Sequence, residues 1–143
     1  MKLEALMNFT IDIGDGLDVG EGPYGNRFIG ESNGGHFEGG KLKGSIRAAG
    51  SADWLTMTED FAHLDVRATF VTHDDTLIYV EYFGRLELTP AIQAALAGEG
   101  DTEFGEACEG AAGVVGVQGR EHEVAGECSL DGDFSSFKVR IGT

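Results

Sequence analysis

Ala62-His63-Leu64-Asp65-Val66-Arg67-Ala68-Thr69-Phe70-Val71-Thr72 and, beyond His73-Asp74-Asp75 and Thr76, Leu77-Ile78-Tyr79-Val80-Glu81-Tyr82-Phe83-Gly84-Arg85-Leu86-Glu87-Leu88 decide the fold. In the first segment Leu64, Val66, Ala68 and Phe70 alternate with Asp65, Arg67, Thr69 and Val71. A period of two is the signature of a half-buried strand. The short polar connection makes an antiparallel hairpin the default. A three-residue loop sets Arg67 opposite Glu81 and Thr69 opposite Tyr79, whereas a two-residue loop would pair Arg67 with Tyr82. The first register segregates the polar side chains and is the expected one.

Upstream, residues 3–13 alternate imperfectly, with Phe9, Ile11 and Ile13 on one face and Thr10 and Asp12 on the other. This predicts a strand that Gly14-Asp15-Gly16 stops. Residues 18–35, rich in Gly, Asn and Asp and containing Pro23, read as loop, short strand and loop. Next come His36-Phe37-Glu38, Gly39-Gly40 and residues 41–46, a pattern of strand, glycine bulge and strand. Residues 50–53 read as a turn and 54–57 as a short strand.

Downstream, residues 89–98 form the one convincing helix, with Thr89 as N-cap, Pro90 at the first helical position and Gly98 just past the end. Short strands are expected at 113–118, 121–130 and 134–141. There is no repeat, linker or second domain, so residues 1–143 read as a single domain. The expected class is all-β: one closed antiparallel β-barrel of about eight to ten strands with one short helix, since closure removes exposed strand edges. A sandwich is the second choice.

Composition agrees with that reading. Glycine takes 23 of 143 positions, about twice its usual share of ~7%, which favours turns over long helices. Twenty-five acidic residues against ten basic ones give a formal charge of −15. Such a surface repels a phosphate backbone and anionic lipid, and no apolar run approaches the ~18 residues of a membrane span. Neither nucleic acid nor membrane is therefore an expected partner. The N-terminus lacks the pattern of a secretory signal, and Cys108 and Cys128 read as reduced thiols. A cytoplasmic protein is the expectation.

Several separated motifs occur in a familiar order: Gly34-Gly35-His36-Phe37-Glu38-Gly39, Leu42-Lys43-Gly44, Ala52-Asp53-Trp54, Leu64-Asp65-Val66-Arg67 and Leu77-Ile78-Tyr79-Val80. Over about residues 3–106 the chain resembles the small bacterial and fungal β-barrel proteins grouped as domain-of-unknown-function family 3237. The resemblance implies a closed barrel with a central pocket, broadly like calycin or allene-oxide-cyclase barrels, with polar residues of these motifs pointing inward. It implies no reaction. After Glu103-Phe104-Gly105 the family's Tyr-Phe-Arg-Thr-x-Pro and Tyr-x-Trp-Leu-Asn segments are absent. Small residues stand there instead, so a wider or differently floored cavity is expected.

Asp65, Arg67, Tyr79 and Glu81 are the expected catalytic constellation, because the hairpin gathers them and one barrel face is the lumen. Asp65 or Glu81 would be the base, Tyr79 the acid and Arg67 the holder of a developing anion. Should they face outward, they are a solvated network that pins the register. His36, Glu38, Asp53, Trp54, Tyr82 and Phe83 are the expected substrate-binding residues. Zinc is not expected: His36 and Glu38 have H-x-E spacing without a P-C-x-x-C segment, and His63, His73 and Glu121-His122-Glu123 match no ligand pattern. No G-x-S-x-G elbow occurs, the cysteines sit beside Glu109 and Glu127, and the glycine-rich stretches lack the Lys of a phosphate loop.

The function these residues suggest is a cofactor-independent isomerase, cyclase or lyase. Its substrate would be a hydrophobic small molecule, polyketide-like or aromatic, held in a water-excluding lumen. The alternative is a non-catalytic small-molecule carrier using the same lumen, and a third reading is a purely structural barrel with a filled interior. Self-association into a homodimer is open to a small barrel through exposed strands or the helix at 90–97.

Overall fold

The computed structural model describes residues 2–96, 99, 109–117, 120–131 and 134–142. Nine strands and one helix follow in the order β1 (Leu3–Gly22), β2 (Gly25–Glu38), β3 (Lys43–Ile46), β4 (Ala52–Met57), β5 (Phe61–Thr72), β6 (Leu77–Glu87), α1 (Pro90–Leu96), β7 (Glu109–Val117), β8 (Arg120–Asp131) and β9 (Phe134–Gly142). All pairings are antiparallel. They run β1-β9-β8-β7-β6-β5-β3-β2, and β2 returns to β1, so the sheet closes on itself. β3 and β4 share one position in the ring: β3 joins β2 to β5 at one end and β4 joins the same two strands at the other. The all-β barrel with one short helix is therefore present, and no helix among the described residues is long and apolar enough to cross a membrane.

The β5–β6 hairpin has the register that its loop length requires, with Arg67 opposite Glu81 and Thr69 opposite Tyr79. Thr72 N–H donates to the Thr76 carbonyl at 2.9 Å, leaving His73, Asp74 and Asp75 as the loop. Asp75 holds φ of 64°, the left-handed last position of a three-residue hairpin loop. Asp74 accepts a hydrogen bond from the Thr72 hydroxyl, which holds its carboxyl below the usual carboxylate range. At the helix, Ile92 N–H donates to Thr89 Oγ1 at 3.3 Å, the bond expected of an N-cap.

The first third differs from expectation. β1 does not stop at Gly14-Asp15-Gly16 but continues to Gly22, and residues 18–35 are mostly strand. The register slips between Asp12 and Ile13, between Ile13 and Gly16, and between Asp18 and Gly20. The glycines thus act as bulges that bend a long strand round the barrel without ending it. Gly39-Gly40 is the reverse case, expected as a bulge and found in the β2–β3 turn, where Gly39 N–H donates to the Leu42 carbonyl at 2.6 Å and Glu38 faces Lys43. Ala52 and Asp53 belong to β4 and not to the preceding turn.

The lumen is apolar at one end. Phe70, with no exposed surface, stacks on Phe37 at a centroid distance of 5.0 Å and meets the edge of Phe9 at 5.1 Å. Met7, Ile11, Ile46, Ala68, Ile78 and Val80 are buried with them. At the other end, where β6 finishes, α1 contributes Ile92 and Ala95 to the same core.

Candidate functional site

The structure divides the expected site residues between two faces of one sheet. Val66, Ala68 and Phe70 on β5 and Ile78, Val80 and Tyr82 on β6 are buried, so the alternate residues Asp65, Arg67, Tyr79, Glu81 and Phe83 lie on the outer face. The four expected catalytic residues are brought together, but outside the lumen. Tyr79 donates a hydrogen bond to Glu81. The Arg67 guanidinium lies 3.7 Å from an Asp65 carboxylate oxygen and 5.7 Å from the Trp54 ring centroid. The physical reason is simple: the opposite faces of both strands are almost wholly apolar, and apolar area goes inward. Trp54 and Phe83 are 42% and 49% exposed. His36 and Glu38 share a face, as their spacing requires, and that face too is outward and exposed. Cys108 lies outside the described residues, as do the side chains of His122 and Cys128. No three of the described His, Cys, Asp and Glu side chains gather as metal ligands.

Asp53 and Tyr82 remain inside, both expected as ligand contacts. Reading across the ring, Gly16 pairs with Gly30, Gly30 with Asp53, Asp53 with Val66, Val66 with Tyr82 and Tyr82 with Gly113. Paired residues share a face, so these six occupy one inward row. The Phe28 ring fills the place of a side chain at Gly16, but a Cβ at Gly30 would come no nearer than 3.9 Å to any neighbour, Asp53 being that neighbour. The sequence thus withholds side-chain volume beside the carboxyl.

Asp53 is anchored through the sheet itself. The β4–β5 ladder pairs Asp53 with Val66 and Thr56 with His63 but skips the residues between. In that gap the Asp65 N–H donates to Asp53 Oδ1 at 3.0 Å. Burial pushes the Asp53 carboxyl up from 3.8 to about 7; the Asp65 hydrogen bond opposes that rise and the Asp65 charge adds to it. Tyr82 is 7% exposed, and burial, reinforced by the Asp53 charge, holds its hydroxyl well above the usual phenol range. The row therefore holds a carboxyl raised towards neutrality and, two strands away across Val66, a phenol that keeps its proton.

The signal for this pair lies in the parity of β4 and β6. Asp53 alternates in phase with Leu55 and Met57, and Tyr82 with Ile78, Val80 and Leu86. A polar residue on an otherwise apolar parity is the informative exception. The space at Gly30 could not be read this way, because a glycine has no face until the register of β2 against β4 is known.

The matches to known proteins follow the same boundaries as the motifs. A family model described as "Protein of unknown function (DUF3237)" matches residues 1–109. The chain belongs to the DUF3237 family. Its fold is also that of several solved structures. A β-barrel-like protein from Acinetobacter baumannii AYE is 23% identical with a TM-score of 0.77, over 98% of this chain and 94% of that one. A conserved protein of unknown function from Rhodopseudomonas palustris is 19% identical with a TM-score of 0.83, over 98% and 96%. A protein of unknown function from Clostridium acetobutylicum ATCC 824 is 18% identical with a TM-score of 0.81, over the whole of both chains. No curated protein matches the sequence. Outside the DUF3237 match, in residues 110–143, the barrel is still completed by β7, β8 and β9.

Proposed function

We propose that this DUF3237 barrel is a cofactor-independent acid–base enzyme, an isomerase, cyclase or lyase in kind, acting on an uncharged and largely apolar small molecule in the lumen at the level of Asp53 and Tyr82. One observation supports the reading above the others: the Asp53 carboxyl faces an apolar interior in the same inward row as Tyr82, with its proton affinity raised to about 7. A base is most effective when it titrates near the working pH. In this scheme the Asp53 carboxylate takes a proton from carbon next to a substrate carbonyl. The C–H electron pair becomes the C=C bond of an enolate and the carbonyl π pair moves to oxygen, which the Tyr82 hydroxyl stabilises by hydrogen bonding, and Asp53 returns the proton to another carbon or to the substrate oxygen. Asp65, Arg67, Tyr79 and Glu81 have no part in it.

The test is deuterium exchange in D₂O, followed by NMR, on uncharged 1,3-dicarbonyl and enone probes. Exchange is expected to rise with pH through a midpoint near that of Asp53, about 7. Asp53→Asn should slow it by ~100-fold or more, the usual worth of a general base, while outward Glu38→Gln leaves it unchanged. Probes that shift lumen resonances equally in wild type and Asp53→Asn, with no exchange in either, would replace the enzyme by a carrier.

A further inference from the structure

The outer face of β4, β5 and β6 has properties that a merely solvated face does not need. Trp54, Tyr79 and Phe83 are each more than two-fifths exposed, and the register sets them close together. Trp54 lies across from Asp65, Asp65 pairs with Phe83, and Tyr79 pairs with Thr69 two positions beyond Arg67. The row continues through Ile29 to Leu17, itself 53% exposed. An aromatic cluster with arginine at its centre is the composition of an interface core.

Charge singles out the same area. Arg27, Arg67 and Arg85 share this face with Glu31, Asp65, Glu81 and Glu87, so it carries a net charge of only −1 in a chain whose formal charge is −15. The acidic excess therefore lies elsewhere, and two copies meet least repulsion here. A basic partner would instead be drawn to the acidic remainder.

We infer that this face docks a second copy of the chain as a two-fold dimer, the arginines of each copy meeting the acids of the other. In a two-fold interface the same patch serves both partners. Arg67 and Glu81 sit opposite one another on β5 and β6, so an axis passing between these strands carries each Arg67 to the partner's Glu81. The five strands that carry it, ~4.8 Å apart, and four rows ~6.8 Å apart span roughly 400 Å² on each copy. That is about 800 Å² in total, the small end where interfaces are weak and transient, so association at roughly a hundred micromolar is expected.

Sedimentation velocity over a hundredfold concentration series tests this. Wild type should pass from monomer to dimer as concentration rises. Arg67→Glu and Glu81→Arg, each checked for a native unfolding midpoint, should each weaken the dimer by about tenfold or more. Mixed in equal amounts, the two variants restore opposite charges at both cross-contacts and should associate about as strongly as wild type. Phe83→Ser should weaken the dimer without rescue by either partner. A wild type that stays monomeric throughout, or a dimer indifferent to these substitutions, would overturn the inference and leave the face to a different partner or to none.

Discussion

The inner and outer faces of the β5–β6 hairpin are built from alternate residues of the same two strands and obey different physics. Inside, Val66, Ala68, Phe70, Ile78 and Val80 exclude water, with Tyr82 and, at the strand end, Thr72 as polar exceptions. Outside, Asp65 with Arg67 and Tyr79 with Glu81 form two polar pairs that stay largely in contact with solvent. A polar cluster is cheap on the outer face and demonstrates little. A single carboxyl on the inner face, such as Asp53, costs solvation energy to keep and so calls for an explanation.

The largest contrast between the faces should come from truncation. Phe70→Ala removes the ring between Phe9 and Phe37 and should cost about 3–5 kcal/mol in urea unfolding. If it costs no more than its outward neighbours, the aromatic end of the lumen is not packed as described.

Next comes pH. Asp53 has its proton affinity raised on folding, from 3.8 to about 7. Its contribution to stability is therefore fully present below pH 3.8, declines as pH rises towards 7 and is lost above that. The full shift would correspond to ~4 kcal/mol; the carboxyl retains some solvent contact, so roughly 2 kcal/mol is expected. Asp53→Asn keeps an oxygen for the Asp65 N–H and should be more stable than wild type at pH 8 by about that amount, with the advantage gone at pH 4. An unchanged pH profile in the variant would mean that Asp53 is solvated like an outer-face acid.

Backbone crowding should give a smaller effect. A Cβ at Gly35 would lie 2.0 Å from the Thr10 carbonyl oxygen, whereas one at Gly40 meets nothing within 4 Å. Gly35→Ala should cost about 1–3 kcal/mol and Gly40→Ala very little. The smallest effects belong to the outer face, where Tyr79→Phe and Glu81→Gln should each change stability by less than ~0.5 kcal/mol.

This contrast also explains what could be read from the chain beforehand. Alternation, loop length and capping are local, and they yielded the β5–β6 register, the helix with Thr89 at its cap and strands close to β7, β8 and β9. Glycine was ambiguous because its meaning depends on a partner strand. Gly14 and Gly16 bend β1, while Gly39 turns the chain, and neither outcome is written in the neighbouring residues. Asp65 and Arg67 drew attention by being charged, although their parity was the polar one. Asp53 was singled out in the sequence and its inward parity was legible, but the burial that raises its proton affinity and the Asp65 N–H that opposes it depend on the tertiary register.

The closing of the ring has a kinetic consequence. The β1–β2 and β5–β6 hairpins join neighbours in the chain, but β1 also pairs with β9, Leu3 against Gly142. That contact spans nearly the whole sequence, and folding slows as such contacts dominate. During synthesis β1 leaves the ribosome first and β9 last, so one edge of β1 waits unpaired for most of translation. An open edge in a nascent chain invites pairing with the wrong strand. The barrel is thus most vulnerable to aggregation before its final strand arrives, and its yield in cells should depend more on chaperones and growth temperature than on the stability of the finished fold.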